Sequence, residues 1–223
     1  MKRFITCFAL ISLCVTTFAA PSRKVIDNGG SGPYKAEAIS EPTLPGFVVY
    51  RPCDIDGAVK GEGAALPLFV FANGACHDTS LPYERMLNDI ASYGYMVVAL
   101  GEMQDSVNDR ELKTSPNIDM IRAIEWAEAQ TGKKGSDYYK GIDTEKVVFG
   151  GHSCGGAQTL ANCADKHVKT CIMFNSGMGN ISMADASKES LKNLHGPILY
   201  IAGGDGDMAY ANAEIDYANI DNV

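Results

Sequence analysis

One strand–turn–helix pattern at residues 147–160 constrains the fold of this chain more than any other stretch. An apolar, β-branched run ends at two glycines, a serine follows, and two more glycines open a helix-forming segment. Residues 151–155 read Gly-His-Ser-Cys-Gly and fit Gly-x-Ser-x-Gly, a turn that raises the serine hydroxyl above a sheet. The following helix directs its first amides toward the same point. The pattern predicts that Ser153 is a nucleophile; a glycine-rich turn with an idle serine is the alternative.

Strands and helices alternate along the chain from residue 68 onward. Short apolar runs are typical of strands buried on both faces, and the segments between them show helical spacing. We predict strands over 47–50, 68–72, 95–100, 147–150, 169–174 and 197–202, and helices over 82–93, 118–130, 154–164, 183–194 and 209–218. Residues 54–65 are predicted to be a polar loop. This alternation favours an α/β fold whose sheet is mostly parallel, with helices on both faces.

Polar residues follow several of the predicted strands directly. Ligand sites in sheets of this kind lie at the carboxyl ends of the strands. The residues at these ends are the turn 73–76, Ser153, Ser176, Asp205 and Asp207. Their convergence predicts a single site at this edge of the sheet.

The first residues have the pattern of a secretory signal peptide. Lys2 and Arg3 precede an apolar run over 4–18, and small residues at 17 and 19 suit cleavage near Ala19. We therefore expect 1–19 to be a signal peptide, 20–33 a loose leader, and 34–223 one domain. The protein would be secreted or periplasmic, without stable membrane insertion after cleavage; a retained membrane anchor is the alternative.

The net charge limits the partners that the protein could bind, and the cysteines limit its disulfides and metal sites. The formal net charge of −8 argues against nucleic acids and anionic membranes. Export permits disulfides, and Cys163 and Cys171, near a helix end and a strand start, form a plausible pair. No cysteine pair shows the spacing of zinc ligands, so we expect no metal site.

Three features give the chain a family resemblance: the turn after residue 72, the serine turn and the acidic loop after residue 202, which follow one another in that order along the chain. Together they resemble the α/β-hydrolase family, and within it the secreted cutinase-like and polyester-hydrolase-like branch. Segment 44–52 is similar to that branch's second strand, and segment 87–100 to the helix, glycine and strand before its fourth strand. The resemblance covers 34–223 and implies a three-layer α/β fold and hydrolysis of small or polymeric carboxylic esters without a cofactor. A peptidase or amidase, and a non-catalytic binding protein, remain alternatives.

The resemblance also implies the role of each site residue. Ser153 would be the nucleophile, and the backbone N–H groups of Ala75 and Cys154 would form the oxyanion hole. Asp207 would be the acid, with Asp205 as the second choice.

Two further expectations come from neighbours of these residues. Cys76 and Cys154 stand beside the two proposed donors, so they should lie close together, and a disulfide between them would lock the halves of the hole. Polyester hydrolases of this branch often have an aromatic residue at the position of Ala75 and a tryptophan near that of Ser176. Their absence here argues against an aromatic clamp for a polymer.

The largest departure from the family concerns the histidine. The triad order in this fold is serine, acid, histidine, and no histidine follows Asp207. We expect that the sequence stops before the general base and lacks the last strand and helix of the fold. Losing that histidine costs on the order of 10⁶ in turnover, so these 223 residues alone would be nearly inactive. The four histidines present are poor substitutes: His77, His152, His167 and His195.

Overall fold

A computed structural model describes residues 21–223 as an eight-stranded sheet with flanking helices. The strands are β1 (Ser22–Lys24), β2 (Ala36–Ser40), β3 (Phe47–Pro52), β4 (Leu66–Ala72), β5 (Met96–Leu100), β6 (Ile142–His152), β7 (Val168–Phe174) and β8 (Ile198–Ile201). The α-helices are α1 (Ile55–Glu62), α2 (Glu84–Ser92), α3 (Asp119–Gly132), α4 (Cys154–Asn162) and α5 (Tyr210–Asn219). Short 3₁₀ turns cover Asp27–Gly29, Gly74–Cys76, Leu81–Tyr83 and Lys188–Asn193. The signal peptide expected over 1–19 lies outside the described residues.

The strand order creates a crevice at one edge of the sheet. The order is β1-β2-β3-β5-β4-β6-β7-β8, with β4 to β8 mutually parallel and β1 to β3 antiparallel to their neighbours. From β4 the chain steps to β5 on one side, then returns to build β6, β7 and β8 on the other. Loops that leave strands at such a switch point diverge, and ligands bind between them. The turn after β4 and the turn after β6 flank this point.

Helices cover both faces of the sheet, which confirms the predicted α/β class with a mostly parallel sheet. Helices α1, α3 and α4 pack on one face, where Val70 and Phe149 lie fully buried. Helix α2 packs on the other face against Phe69 and Phe71. Alternate residues of β4 thus serve different layers, which explains why its sequence is apolar throughout. No helix within 21–223 combines the length and apolar character needed to cross a membrane.

The predicted loop over 54–65 is wrong, because helix α1 lies there. Asp54 caps the helix by accepting a hydrogen bond from the Gly57 N–H at 2.9 Å, and Gly63 ends it in the left-handed conformation. Both caps are common at helix ends, and Ile55 and Ala58 bury one face of the helix. The polar surface of this short helix hid it in the sequence.

The predicted helix over 183–194 is also wrong. Ala184 and Asp185 have φ values of 48° and 61°, which stop a right-handed helix, and only the 3₁₀ turn Lys188–Asn193 follows. Met183 and Ala186 instead form a tight turn by exchanging backbone hydrogen bonds.

The leader expected to be loose over 20–33 is ordered from residue 22. Strand β1 pairs with β2, and the Gly32 N–H donates to Ser92 Oγ at 2.9 Å. A Cβ at Gly32 would lie 2.2 Å from the Ser92 carbonyl oxygen, so glycine permits the leader to pack closely on α2.

Candidate active site

Ser153 occupies a strained turn between β6 and α4. Its φ of 51° and ψ of −117° are rare for a residue with a side chain. A Cβ at Gly151 would lie 2.1 Å from the Gly155 carbonyl oxygen, and one at Gly155 would lie 2.2 Å from the Ala72 carbonyl oxygen. The spacing of glycines around the serine is therefore required by packing, and the side chain of Ser153 remains partly exposed.

Residues at the end of β7 hold this turn in place. The Ser153 N–H donates to the Phe174 carbonyl at 3.0 Å, and the buried Ser176 hydroxyl donates to the Ser153 carbonyl at 2.7 Å. A Cβ at Gly156 would lie 2.2 Å from Ser176 Oγ, so the second pair of glycines also has a steric cause. Ser176, which was predicted to lie at this edge, supports the turn that carries Ser153.

The turn after β4 is equally constrained. Ala75 and Cys76 both adopt positive φ, at 53° and 54°. The buried Asn73 amide donates to the Leu100 carbonyl at 2.6 Å and to the His77 carbonyl at 2.9 Å, which fixes both ends of the turn. Such strain persists only where surrounding contacts determine the backbone, and it is frequent at functional sites.

A disulfide joins the two turns. Cys76 and Cys154 are bonded, with their Cα atoms 5.1 Å apart. The N–H groups of Ala75 and Cys154 stand beside this bond, and neither donates to any residue within 21–223. Cys154 is also the first residue of α4, where the helix dipole favours negative charge. The turns thus offer two amides that an anionic oxygen could accept.

The expected Cys163–Cys171 disulfide is wrong. Both cysteines are free and buried, and the Cys163 thiol donates to the Ser190 carbonyl at 3.6 Å instead. Burial raises the pKa of Cys163 to about 11 and that of Cys171 to about 12, so both remain neutral thiols in the core. Cys53 is also free, on the exposed surface.

Asp207 is the ordered carboxylate at this edge of the sheet. It accepts hydrogen bonds from the Ala209 N–H at 3.0 Å, the Asn175 amide at 3.0 Å and the Gly203 N–H at 3.2 Å. The Ala209 bond, helped by the Gly203 and Asn175 bonds, holds the pKa of Asp207 below its usual value, although desolvation acts in the opposite direction. Asp205 is exposed and bonds to no side chain or amide within 21–223. The geometry therefore favours Asp207 over Asp205.

The four histidines lie at two opposite edges of the sheet. His167 bonds to Asp165 at 2.8 Å, directly before β7, and exposed His195 lies shortly before β8, at the edge opposite Ser153. His77 and His152 lie at the same edge as Ser153. No histidine ring in residues 21–223 is hydrogen-bonded to Ser153 or Asp207.

A tyrosine contact links the two halves of the site. The Tyr83 hydroxyl accepts the Gly74 N–H at 3.0 Å and lies 2.9 Å from His152 Nδ1. Burial raises the pKa of Tyr83 and lowers the pKa of His152, the latter opposed by the charge of Asp207. Tyr83 falls within the helix predicted over 82–93, and no sequence signal connects it to positions 74 and 152.

The segment 110–115 lies beside the turn after β4. The Arg110 guanidinium donates to the Asp78 carboxylate at 2.8 Å, and the Ser115 N–H donates to the Cys76 carbonyl at 2.8 Å. The Gln158 amide of α4 donates to the Ser115 carbonyl at 2.8 Å. These bonds attach an otherwise irregular loop to the turn after β4 and to helix α4, which the sequence of the loop did not indicate.

Comparisons with known proteins do not assign the chain to a class. No family model matches it, and no curated protein is significantly similar. The chemistry of the site is therefore argued from its geometry alone: a strained serine, two unbonded amides and an ordered carboxylate.

Proposed function

We propose that this protein is an exported serine hydrolase of the α/β-hydrolase type that cleaves carboxylic esters through an acyl-enzyme on Ser153. One observation carries the proposal. The Cys76–Cys154 disulfide brings the strained serine turn against a second strained turn, and each turn has an amide with no partner in residues 21–223. Unbonded amides next to a raised hydroxyl are the parts that acyl transfer requires.

The proposed reaction follows from these parts. Ser153 Oγ attacks the acyl carbon, and the N–H groups of Ala75 and Cys154 donate to the tetrahedral oxyanion. Collapse expels the alcohol, and water then hydrolyses the acyl-enzyme. Each donor of this kind is typically worth about 10²–10³ in rate. Asp207, whose pKa is held below its usual value by the Ala209 N–H, would be a carboxylate that orients the general base and stabilises its cation.

The general base is the part that residues 21–223 do not place beside Ser153. The order serine, acid, histidine assigns it to a histidine after Asp207, in a further strand and helix of the same fold. The reading frame beyond Val223 tests this assignment. A histidine within roughly thirty residues, following an apolar strand, is expected; a stop codon at that point would contradict it.

The substrate is proposed to be a small or polymeric ester, in a secreted or periplasmic setting. Neither Ala75 nor Ser176 supplies the aromatic surface that would clamp an aromatic polymer. The same groups serve amide hydrolysis, so an amidase or peptidase is the closest variant of the proposal. No cofactor is required.

A second candidate is a non-catalytic binding protein on the same scaffold. The binding protein is favoured because no histidine in residues 21–223 is hydrogen-bonded to Ser153 or Asp207. Such a protein would retain the crevice and the two amides but would not form an acyl-enzyme.

Labelling with a fluorophosphonate distinguishes the two candidates. We expect the full-length protein to be labelled and its Ser153→Ala variant to remain unlabelled, because the reagent bonds only to an activated serine hydroxyl. Ser136→Ala, which changes a serine before β6 at the opposite edge, is the matched control and should be labelled normally. Equal labelling of Ser153→Ala would remove Ser153 as the nucleophile. No labelling of the unchanged protein would favour the binding protein.

A further inference from the structure

The Tyr83 hydroxyl lies where the two halves of the site meet. It accepts the N–H of Gly74, which precedes the proposed donor Ala75, and it contacts His152, which precedes Ser153. The ring is fixed by packing on Phe71, with centroids 5.0 Å apart. The hydroxyl therefore connects the turn after β4 to the end of β6 without a covalent bond.

The Tyr83 hydroxyl has one proton and two lone pairs, and one lone pair accepts the Gly74 N–H. Toward His152 Nδ1 it can either donate its proton or accept through the second lone pair, depending on the tautomer of the ring. In the expected arrangement the hydroxyl donates to Nδ1, and His152 is neutral with its proton on Nε2. Burial, which raises the pKa of Tyr83 and lowers that of His152, favours the same neutral pair.

Crowding at Gly74 shows how closely the three groups approach. A Cβ at Gly74 would lie 2.6 Å from the Tyr83 hydroxyl and 2.7 Å from His152 Nδ1. Since real Cβ atoms essentially never approach so closely, any side chain at position 74 would separate the hydroxyl from the turn or from the histidine. Glycine at this position therefore allows the contact to form.

We propose that Tyr83 is a positioning residue, whose hydroxyl holds the Gly74–Ala75 turn and the end of β6 in the register that aims the Ala75 amide at the oxyanion. This rests on the proposed function. The disulfide fixes the same two segments at Cys76, one residue beyond the proposed donor Ala75, and at Cys154, which is itself the other proposed donor. The hydroxyl adds a second attachment on the other side of Ala75, so the turn cannot rotate about the disulfide. Small displacements of such a donor have large effects on rate.

Tyr83→Phe and Tyr50→Phe form a matched pair for the test. Tyr50 also has a buried hydroxyl, bonded to Ser80 Oγ at 2.8 Å, but it makes no contact with Gly74 or His152. In hydrolysis of p-nitrophenyl acetate by the full-length protein, we expect Tyr83→Phe to lower kcat about tenfold with little change in KM. The donor acts in the transition state, so the loss falls on kcat. Tyr50→Phe should leave both constants nearly unchanged.

Two measurements report the contact without needing turnover. Exchange of the Gly74 amide proton should be about tenfold faster in Tyr83→Phe than in Tyr50→Phe, because only the former loses its hydrogen bond. Nitrogen NMR should show His152 protonated on Nε2 in the unchanged protein, with a loss of this tautomer preference in Tyr83→Phe. Gly74→Ala, which keeps the hydroxyl but displaces it, should reproduce the fall in kcat.

The outcomes separate the two proposals. An unchanged kcat and unchanged Gly74 exchange in Tyr83→Phe would overturn the role of Tyr83, as would an equal fall of kcat in Tyr50→Phe. If the unchanged protein hydrolyses no ester, the proposed function fails. The Gly74 exchange and the His152 tautomer would then still decide whether the hydroxyl holds the turn.

Discussion

Ser153 adopts a backbone conformation that lowers the stability of the folded protein. Holding a non-glycine residue at a φ of 51° and ψ of −117° costs about 1–3 kcal/mol. The bonds to Phe174 and Ser176 and the close packing of Gly155 on Ala72 compensate for this cost. At the scale of single residues, surrounding contacts therefore hold the backbone of Ser153 in a conformation that a residue with a side chain disfavours.

Relieving that strain should stabilise the protein. We expect Ser153→Gly to have a free energy of unfolding about 1 kcal/mol higher than Ser153→Ala, because glycine adopts positive φ without steric cost. Urea denaturation of the two variants measures the difference, and both lack the hydroxyl, so chemistry does not enter. A lower stability for the glycine variant would show that the turn is not strained.

Protonation of His152 should also affect stability. Burial lowers the pKa of His152 below its ordinary 6.5, with the charge of Asp207 acting in the opposite direction. As the pH falls through 6.5, the unfolded chain therefore binds the proton before the folded one does. The neutral ring contributes its full stability above this pH and loses it below.

The pH dependence of a variant measures this contribution. Relative to His152→Gln, the unchanged protein should lose stability between pH 7.5 and pH 5, in chemical denaturation at each pH. If the free energies of unfolding of the two proteins differ by the same amount at every pH, the lowered pKa of His152 is contradicted.

At the scale of elements, strands and helices with clear periodicity were predictable from the sequence. The serine turn, β4 and helix α2 were all located, because apolar runs and helical spacing report burial directly. Helix α1 was missed since its signals are two caps and two buried residues within a polar segment. The contact of Tyr83 with His152 could not be predicted, because 69 residues separate the two and only the strand order brings them together.

The disulfide between two elements should contribute strongly to stability. The Cys76–Cys154 bond closes a loop with a sequence separation of 78, for which chain entropy predicts about 4 kcal/mol. We expect Cys76→Ala with Cys154→Ala to lower the free energy of unfolding, and Cys163→Ala with Cys171→Ala to report core packing alone. Peptide mapping without reduction should find only Cys76 linked to Cys154; two free thiols there would contradict the bond.

At the scale of the whole molecule, the sheet ends unevenly. One edge is β1, a strand of three polar residues, whereas β8 forms the other edge, where Leu199 and Ile201 are 51 % and 44 % exposed. These side chains lie on the face that α2 covers only in part. An exposed strand edge with apolar neighbours promotes pairing between chains.

The edge of β8 should therefore cause self-association of the chain 21–223. We expect the sedimentation coefficient to rise with protein concentration, and Ile201→Lys to suppress the rise by adding charge to the edge strand. Val25→Lys, at a still more exposed apolar residue just after β1, is the control and should not suppress it. A monomer at all concentrations would show that the edge is protected.

The steric roles of the glycines at 151 and 155 bear on how genes descended from this one would diverge. A lineage that no longer used the proposed reaction could replace Ser153. Selection for a more stable fold would favour that replacement. The lineage could not exchange Gly151 or Gly155, since a methyl group at either would collide with main-chain atoms 2.1–2.2 Å away. Inactive descendants would thus be recognisable because they keep both glycines while position 153 between them is no longer serine.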